Sequence, residues 1–157
     1  MIKVLLFDFS RVLLFPKDVA YTGSLNQKHK ELSANAGYKI FDHFSLNNEL
    51  LIFLQGLKDK YNLCLFTTET IQDSPEILPT LNKIFQKIYS GTKLGLSKRE
   101  SKSYLVIAED LNLSPEEILF IDDLDSNILA AKNAGLVAVC YISNEQIIQA
   151  IKTKLQI

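Results

Sequence analysis

Seven residues in this chain are of types that can do chemistry and stand where apolar runs end. Asp8 and Ser10 lie inside "VLLFDFSRVLL" (4–14), Thr67 and Thr68 close "NLCLFTT" (62–68), Lys98 follows a loop with Gly91 and Gly95, and Asp122 and Asp123 end "ILFIDD" (118–123). Three carboxylates brought together would repel one another and raise their own pKa values unless a cation neutralises them. Mg2+ suits such a set, because it takes oxygen ligands from one or two carboxylates and keeps positions for water and substrate phosphate. A lysine beside the cluster would bind phosphate oxygens by charge, and a threonine hydroxyl by hydrogen bonding. These parts fit phosphoryl transfer, in which positioning and charge neutralisation dominate. An aspartate not fully occupied by the metal can then act as nucleophile and form an aspartyl-phosphate.

The elements that would position these residues follow from hydrophobic patterning. Residues 2–8, 62–68, 87–90, 118–123 and 136–142 read as five strands, most of them continuously apolar, as strands covered on both faces of a parallel sheet should be. Helical periodicity fills the gaps. Residues 47–60 put Leu50, Leu51, Phe53, Leu54 and Leu57 on one side, and 144–155 space Ile147, Ile148, Ile151 and Leu155 helically. Ser74-Pro75-Glu76 predicts a helix start with Pro79 limiting its length. Ser97 with Glu100, and Ser114 with Glu117, match capping boxes, and the segment 126–134 stops at Gly135. Repeated strand–helix alternation predicts a doubly wound, Rossmann-like α/β fold with helices on both faces of a five-stranded parallel sheet. In such a sheet ligands bind beyond the carboxyl ends of the strands, which is where the seven residues fall.

Pro16 to Ser45 breaks the rhythm. A short helix is expected near Leu25 to Ala36, followed by Gly37 and the aromatic cluster Tyr38, Phe41 and Phe44. The segment reads as an insertion after the first strand, a minimal cap or lid within one domain of residues 1–157. The cluster is expected to pack locally. His29 and His43 show no ligand spacing and read as surface or lid residues.

The 157 residues suffice for about one domain. With 47% hydrophobic and 22% charged residues and a net charge of −1, the chain has no basic field to favour nucleic acid or an anionic membrane. A small molecule or a protein, a second copy of this chain included, is the expected partner. No apolar run approaches the roughly 20 residues of a spanning helix, and Asp8 and Arg11 interrupt the N-terminal candidate for a signal sequence, so the expected location is cytoplasmic. Cys64 and Cys140 lack metal or redox spacing and are expected to be buried free thiols.

The ordered set resembles the four motifs of the haloacid dehalogenase-like hydrolase superfamily. "LLFDFSRVL" matches the first, "LCLFTT" the second, Lys98 within "LGLSKRESKSY" the third and "LFIDDLDSNILAAKNAG" the fourth. The resemblance implies that Asp8 is nucleophile and metal ligand, with the Ser10 backbone carbonyl a second ligand. It implies phosphate contacts from Thr67 and Lys98. Asp123 would be the principal acid of the fourth motif, Asp122 an auxiliary ligand, and Asn127 the stand-in for a later supporting acid. Ser10 departs from the pattern: phosphatases of the family usually carry a second aspartate there to protonate the leaving group and then activate water. A neutral hydroxyl is a poor proton donor, and losing a general acid typically costs about 10² to 10⁴ in rate. Arg11, where glycine is common, and Arg99, where proline is common, also depart. Arg11 is expected to be solvated or to contact the lid, with phosphate contact as the alternative. The leading expectation is a Mg2+-dependent phosphatase favouring good leaving groups. The alternatives are a catalytically impaired module that binds phosphate and Mg2+, and a carbon–halogen hydrolase, against which Asp122-Asp123 argues.

Overall fold

The computed structural model describes residues 1–157. In chain order its elements are β1 (Val4–Phe7), β2 (Leu14–Pro16), α1 (Leu25–Leu32), α2 (Ile40–His43), β3 (Phe44–Leu46), α3 (Asn48–Gln55), β4 (Asn62–Thr67), α4 (Leu78–Leu81), β5 (Lys87–Ser90), α5 (Gly91–Leu94), α6 (Ser101–Asp110), β6 (Ile118–Asp122), α7 (Asp125–Asn133), β7 (Val137–Cys140) and α8 (Asn144–Leu155). Five of the strands form one parallel sheet in the order β5-β4-β1-β6-β7. The order reverses at β1, so β1 lies between β4 and β6, and the three strand ends that carry Asp8, Thr67 and Asp122 are adjacent. This is the switch point at which open α/β sheets bind ligands.

The continuous apolar runs have a direct cause. Along β1 every residue is buried, but Leu5 and Phe7 belong to one core and Val4 and Leu6 to the other. Successive strand side chains point to opposite faces, so a sheet covered on both sides needs apolar residues at every position. One core is closed by Leu50, Leu51 and Leu54 of α3 and Ile147 and Ile151 of α8. The other is closed by Tyr104 and Ile107 of α6 and Ile128 and Ala131 of α7. The helices α3 and α8 on the first face are those expected from periodicity.

Local signals set several boundaries. Asn47 caps α3 and Ser143 caps α8, each accepting a backbone N–H of the first turn. After α7, Gly135 sits at φ +92°, a left-handed conformation glycine adopts without penalty. The Ser114–Glu117 capping box is present, but it closes a single 3-10 turn ahead of β6.

Two expected helix starts are corrected. No helix begins at Ser74-Pro75-Glu76; the Ser74 hydroxyl donates to the Ile71 carbonyl in a turn, and α4 opens four residues later with Pro79 in its first turn. There the missing N–H of proline costs no hydrogen bond. Nor do Ser97 and Glu100 cap a helix. The Ser97 N–H donates to the Ser103 hydroxyl, the Ser97 hydroxyl accepts from the Arg99 N–H, and α6 starts only at Ser101. Lys98 therefore projects from a loop. Cys64 is buried as expected, whereas Cys140, on the outermost strand, is half-buried; both are free.

The segment 16–45 contains a feature the patterning did not show. Its two ends pair antiparallel as β2 and β3, with Leu14 opposite Leu46 and Pro16 opposite Phe44, forming a neck from which the rest emerges. The expected helix runs over Leu25–Leu32. Leu25 and Ile40 are buried in the same core as α3 and α8, so the segment is packed onto the sheet domain. The expected aromatic cluster is divided: Tyr38 lies against His29 and His43, Phe44 is buried in the sheet core, and Phe41 is exposed. No helix is long and apolar enough to cross a membrane.

Candidate active site at the carboxyl edge of the sheet

At the end of β1, Asp8 is 6% exposed, and one of its oxygens accepts the Phe9 N–H at 2.6 Å. Asp122, the last residue of β6, is fully buried. Its neighbour Asp123 is half-buried and faces open space. Ligand oxygens from the three acids all lie within 4.8 Å of one another, a separation that one oxygen-loving cation could span.

One lysine serves the buried pair. The Lys98 ammonium donates to Asp8 and, at 3.1 Å, to Asp122 Oδ2, and it is itself only 6% exposed. Asp122 is held further by Asn127, whose amide donates to both carboxylate oxygens at 3.1 and 3.0 Å, and by the Leu124 N–H at 2.9 Å. The pairing does not restore ordinary ionisation at Asp8. Burial, opposed by Lys98 and reinforced by Asp122 and Asp123, pushes its carboxyl up to about 7. Asp123 is also raised, by burial and then by Asp122. Burial alone would lower Lys98, but Asp8 and Asp122 together outweigh it and hold it above the usual lysine value. One positive charge for three acids leaves room for a second cation.

The loop bearing Lys98 is anchored from beneath by a residue the sequence reading did not single out. Tyr104 of α6 is fully buried, and its hydroxyl lies 2.7 Å from the Lys98 carbonyl and 3.2 Å from that of Asn127. The ring stacks edge-on to Phe66 and Phe120, so the aromatic core on that face also sets the height of the lysine loop. A buried tyrosine must find a hydrogen-bond partner, and that requirement is the only signal that could have marked it.

The two threonines differ. The Thr67 hydroxyl lies 3.1 Å from the Glu69 carbonyl and 3.4 Å from that of Tyr89, and the residue is buried. Thr68 lines the open space. The expected grouping is thus split: Thr67 is directed at main-chain carbonyls and Thr68 at the cavity. Glu69, unmarked in the sequence, has a carbonyl that also accepts from Gln72 and Ser90, pinning the loop after β4.

The open space has two lobes. One, of about 280 Å3, is bounded by Asp8, Ser10, Asp123, Lys98 and Glu69 on the sheet side and by Thr22 to Asn26 of the inserted segment. The other, of about 430 Å3, runs past Gly91, Thr92, Ser97 and Arg99. Thr68, Lys98, Leu124 and Asn127 line both. Gly91, on its wall, leaves no room for a side chain, because a Cβ there would lie 2.6 Å from the Leu96 carbonyl and 3.1 Å from that of Thr68.

Arg11 explains how the inserted segment reaches the site. It adopts φ 60°, the conformation glycine would take freely, and its guanidinium donates to the carbonyls of Tyr21 (3.0 Å) and Gly23 (2.8 Å). The Ile71 N–H donates to Asn26 Oδ1, giving a second tether. Of the alternatives for Arg11, the structure contains the contact with the inserted segment.

A family model described as "Haloacid dehalogenase-like hydrolase" matches residues 16–141, and this chain belongs to that family. A solved structure of a haloacid dehalogenase-like family hydrolase from Porphyromonas gingivalis superposes with a TM-score of 0.72 at 23% identity, covering 100% of this chain and 99% of that one. A haloacid dehalogenase family enzyme of Bacteroides thetaiotaomicron, in complex with magnesium and inorganic phosphate, gives 0.63 at 17% identity over 92% of this chain and 96% of that one. At these identities the likeness is one of fold. Among curated proteins, Enolase-phosphatase E1 of Aquifex aeolicus is 46% identical over 57 residues, 34% of this chain. The alignments span between 16% and 25% of the length of the curated relatives they match.

Proposed function

We propose that the protein is a Mg2+-dependent phosphatase acting on a phosphorylated small molecule through an aspartyl-phosphate on Asp8. The observation that carries this reading is the convergence of three acids within 4.8 Å, with Lys98 between two of them, beside an open lobe at the sheet's switch point. The donor set fits magnesium: the three acids offer carboxylate oxygens, and Asp123 and Ser10 line the same lobe as Asp8. Names of similar proteins agree, one a phosphatase and one solved with magnesium and phosphate.

In this reading Asp8, Asp123 and the Ser10 carbonyl hold the ion, and Asp122 supports them from behind while bound to Asn127 and Lys98. Magnesium supplies charge neutralisation for the phosphoryl oxygens and for the acids. Lys98 and Thr68 orient the phosphoryl group. A carboxylate oxygen of Asp8 attacks phosphorus as the bond to the leaving oxygen breaks, and the leaving group departs with its electron pair. Water then attacks the phosphorus of the aspartyl-phosphate, releasing phosphate and restoring the Asp8 carboxylate. Ser10 offers no acid at the leaving oxygen, so turnover favours leaving groups that need no proton, aryl and acyl phosphates over alkyl esters. The tethered segment 16–45 acts as a minimal cap over the Asp8 lobe, and the protein works in the cytoplasm.

The test is a screen of aryl, acyl and alkyl phosphates with Mg2+ and with a chelator, with Asp8→Asn as control. Expected are Mg2+-dependent hydrolysis lost in Asp8→Asn and a bias to aryl substrates. Equal efficiency on aryl and alkyl phosphates overturns the missing-acid reasoning. Thermal stabilisation by Mg2+ and phosphate without any hydrolysis would instead establish the binding module, which the serine at position 10 favours.

A further inference from the structure

We propose that the Arg99 lobe is a leaving-group subsite, and that it selects phosphomonoesters whose leaving group carries a second anionic group gripped by the Arg99 guanidinium. The proposal rests on the phosphatase reading and adds the class of substrate.

The chain holds two arginines against fifteen lysines, and both arginines line the cavity. Neither takes part in any ion pair. Arg11 spends its donors on two carbonyls of the cap, whereas the Arg99 guanidinium bonds to nothing in the protein. The cations nearest Arg99 in sequence are engaged: Lys98 with Asp8 and Asp122, Lys102 with Glu100 at 2.7 Å, and Lys93 with Asp73 at 2.5 Å. Glu100, the acid next to Arg99 in sequence, is thus already paired.

The two lobes differ in sign. Asp8, Asp123 and Glu69 line the first, and no acidic residue lines the second. Once a phosphoryl group sits at Asp8, a second anion on the same molecule is repelled by the acids there and attracted toward Arg99 through the shared gate of Thr68, Lys98, Leu124 and Asn127. Leu124, half exposed, offers an apolar face to the part of the molecule between the two charges. Arginine presents a planar fork that matches a carboxylate or phosphate bidentately, which a lysine does not.

The experiment uses the Mg2+-loaded protein and calorimetric binding of three probes that cannot be hydrolysed: phenylphosphonate, 4-phosphonobenzoate and benzene-1,4-diphosphonate. The expected result is that at least one of the two doubly anionic probes binds about tenfold more tightly than phenylphosphonate, a modest figure because Arg99 is exposed. The more strongly favoured probe then tells carboxylate from phosphate. In Arg99→Gln the advantage falls to near one, and Arg99→Lys keeps only part of it. Arg99 is a surface residue, and a melting curve confirms that both variants fold. An advantage near one in the parent, or one that survives Arg99→Gln but disappears in Arg11→Gln, overturns the proposal while phenylphosphonate binding leaves the phosphatase reading standing. If no probe binds, the phosphate site itself is wrong and this inference falls with it.

Discussion

Replacing Tyr104 by phenylalanine removes one oxygen from the interior and tests how the catalytic loop is held. The ring stays between Phe66 and Phe120, with centroids 5.6 and 5.0 Å away, so no cavity opens. What is lost is the proton shared by the carbonyls of Lys98 at 2.7 Å and Asn127 at 3.2 Å, both left in a fully buried environment. A hydroxyl has one proton, so the loss is one buried hydrogen bond plus an unsatisfied acceptor, about 1–3 kcal/mol. For a domain of this size that corresponds to a fall in Tm of roughly 2–12 °C. Burial, followed by Asp122 and Asp8, holds the Tyr104 hydroxyl above its ordinary value of 10.0. The folded state therefore keeps a proton that the unfolded chain releases, and this contribution is intact below pH 10 and lost as pH climbs past it. Metal-free thermal and urea melts of both proteins from pH 6 to 11 should show a constant gap at low pH that narrows above 10. Because Lys98 loses its main-chain anchor, kcat on an aryl phosphate should also fall several-fold. Melting within 1 °C of the parent at pH 7, with unchanged kcat, would refute the anchoring role.

Three further outcomes are expected. Lys98→Met leaves Asp8 and Asp122 buried without their shared cation, which should destabilise the metal-free protein by about 3–5 kcal/mol in urea melts, with added Mg2+ recovering part of the loss; a variant as stable as the parent would show that the pairing carries little energy. Ser10→Asp should raise alkyl phosphatase turnover by about 10² or more, measured by phosphate release, and a folded variant with no gain would count against the missing-acid reasoning. Burial, partly offset by Glu76, lowers the pKa of His29 below 6.5; its ring bonds Tyr38 at 2.8 Å, meets Ser74 at 3.5 Å across the cap–body boundary, and shares its surroundings with His43, Asp73 and Glu76. The neutral ring supports docking above pH 6.5, and that support is lost as pH falls below it, so amide exchange in residues 25–38 should quicken on acidification. A rate of local opening that does not change between pH 7.5 and 5.5 would remove this role from His29.

How far these features were legible depends on how local their causes are. Most of the five strands could be read from unbroken apolar runs, because burial on both faces of a parallel sheet is written into the inner strands β1 and β6 at every position. Gly135 after α7 was legible for a similar reason, since a cap involves only neighbours in the chain. The false start at Ser74-Pro75-Glu76 shows the limit of such signals. A serine followed by proline also fits a turn, and here the Ser74 hydroxyl is satisfied by the Ile71 carbonyl. The β2–β3 neck was invisible because three-residue strands, one of them holding a proline, have no periodicity to read.

The sequence by itself determined which chemistry the protein could hold: acids and hydroxyls at the ends of apolar strands, a lysine after a glycine-bearing loop, and a serine two places after Asp8. Only the tertiary structure decided how those groups share the work. Asp122 turns inward to Lys98 and Asn127 while Asp123 faces the lobe, and Thr67 turns to carbonyls while Thr68 faces the cavity. Adjacent residues of one type are indistinguishable in a string of letters. They part company because strand geometry points them to opposite sides, and because the groups waiting on each side come from elements as distant in sequence as Lys98 is from Asp8. The same holds for Arg99, a departure from the motif in the sequence, which the fold leaves unpaired in a lobe free of acids.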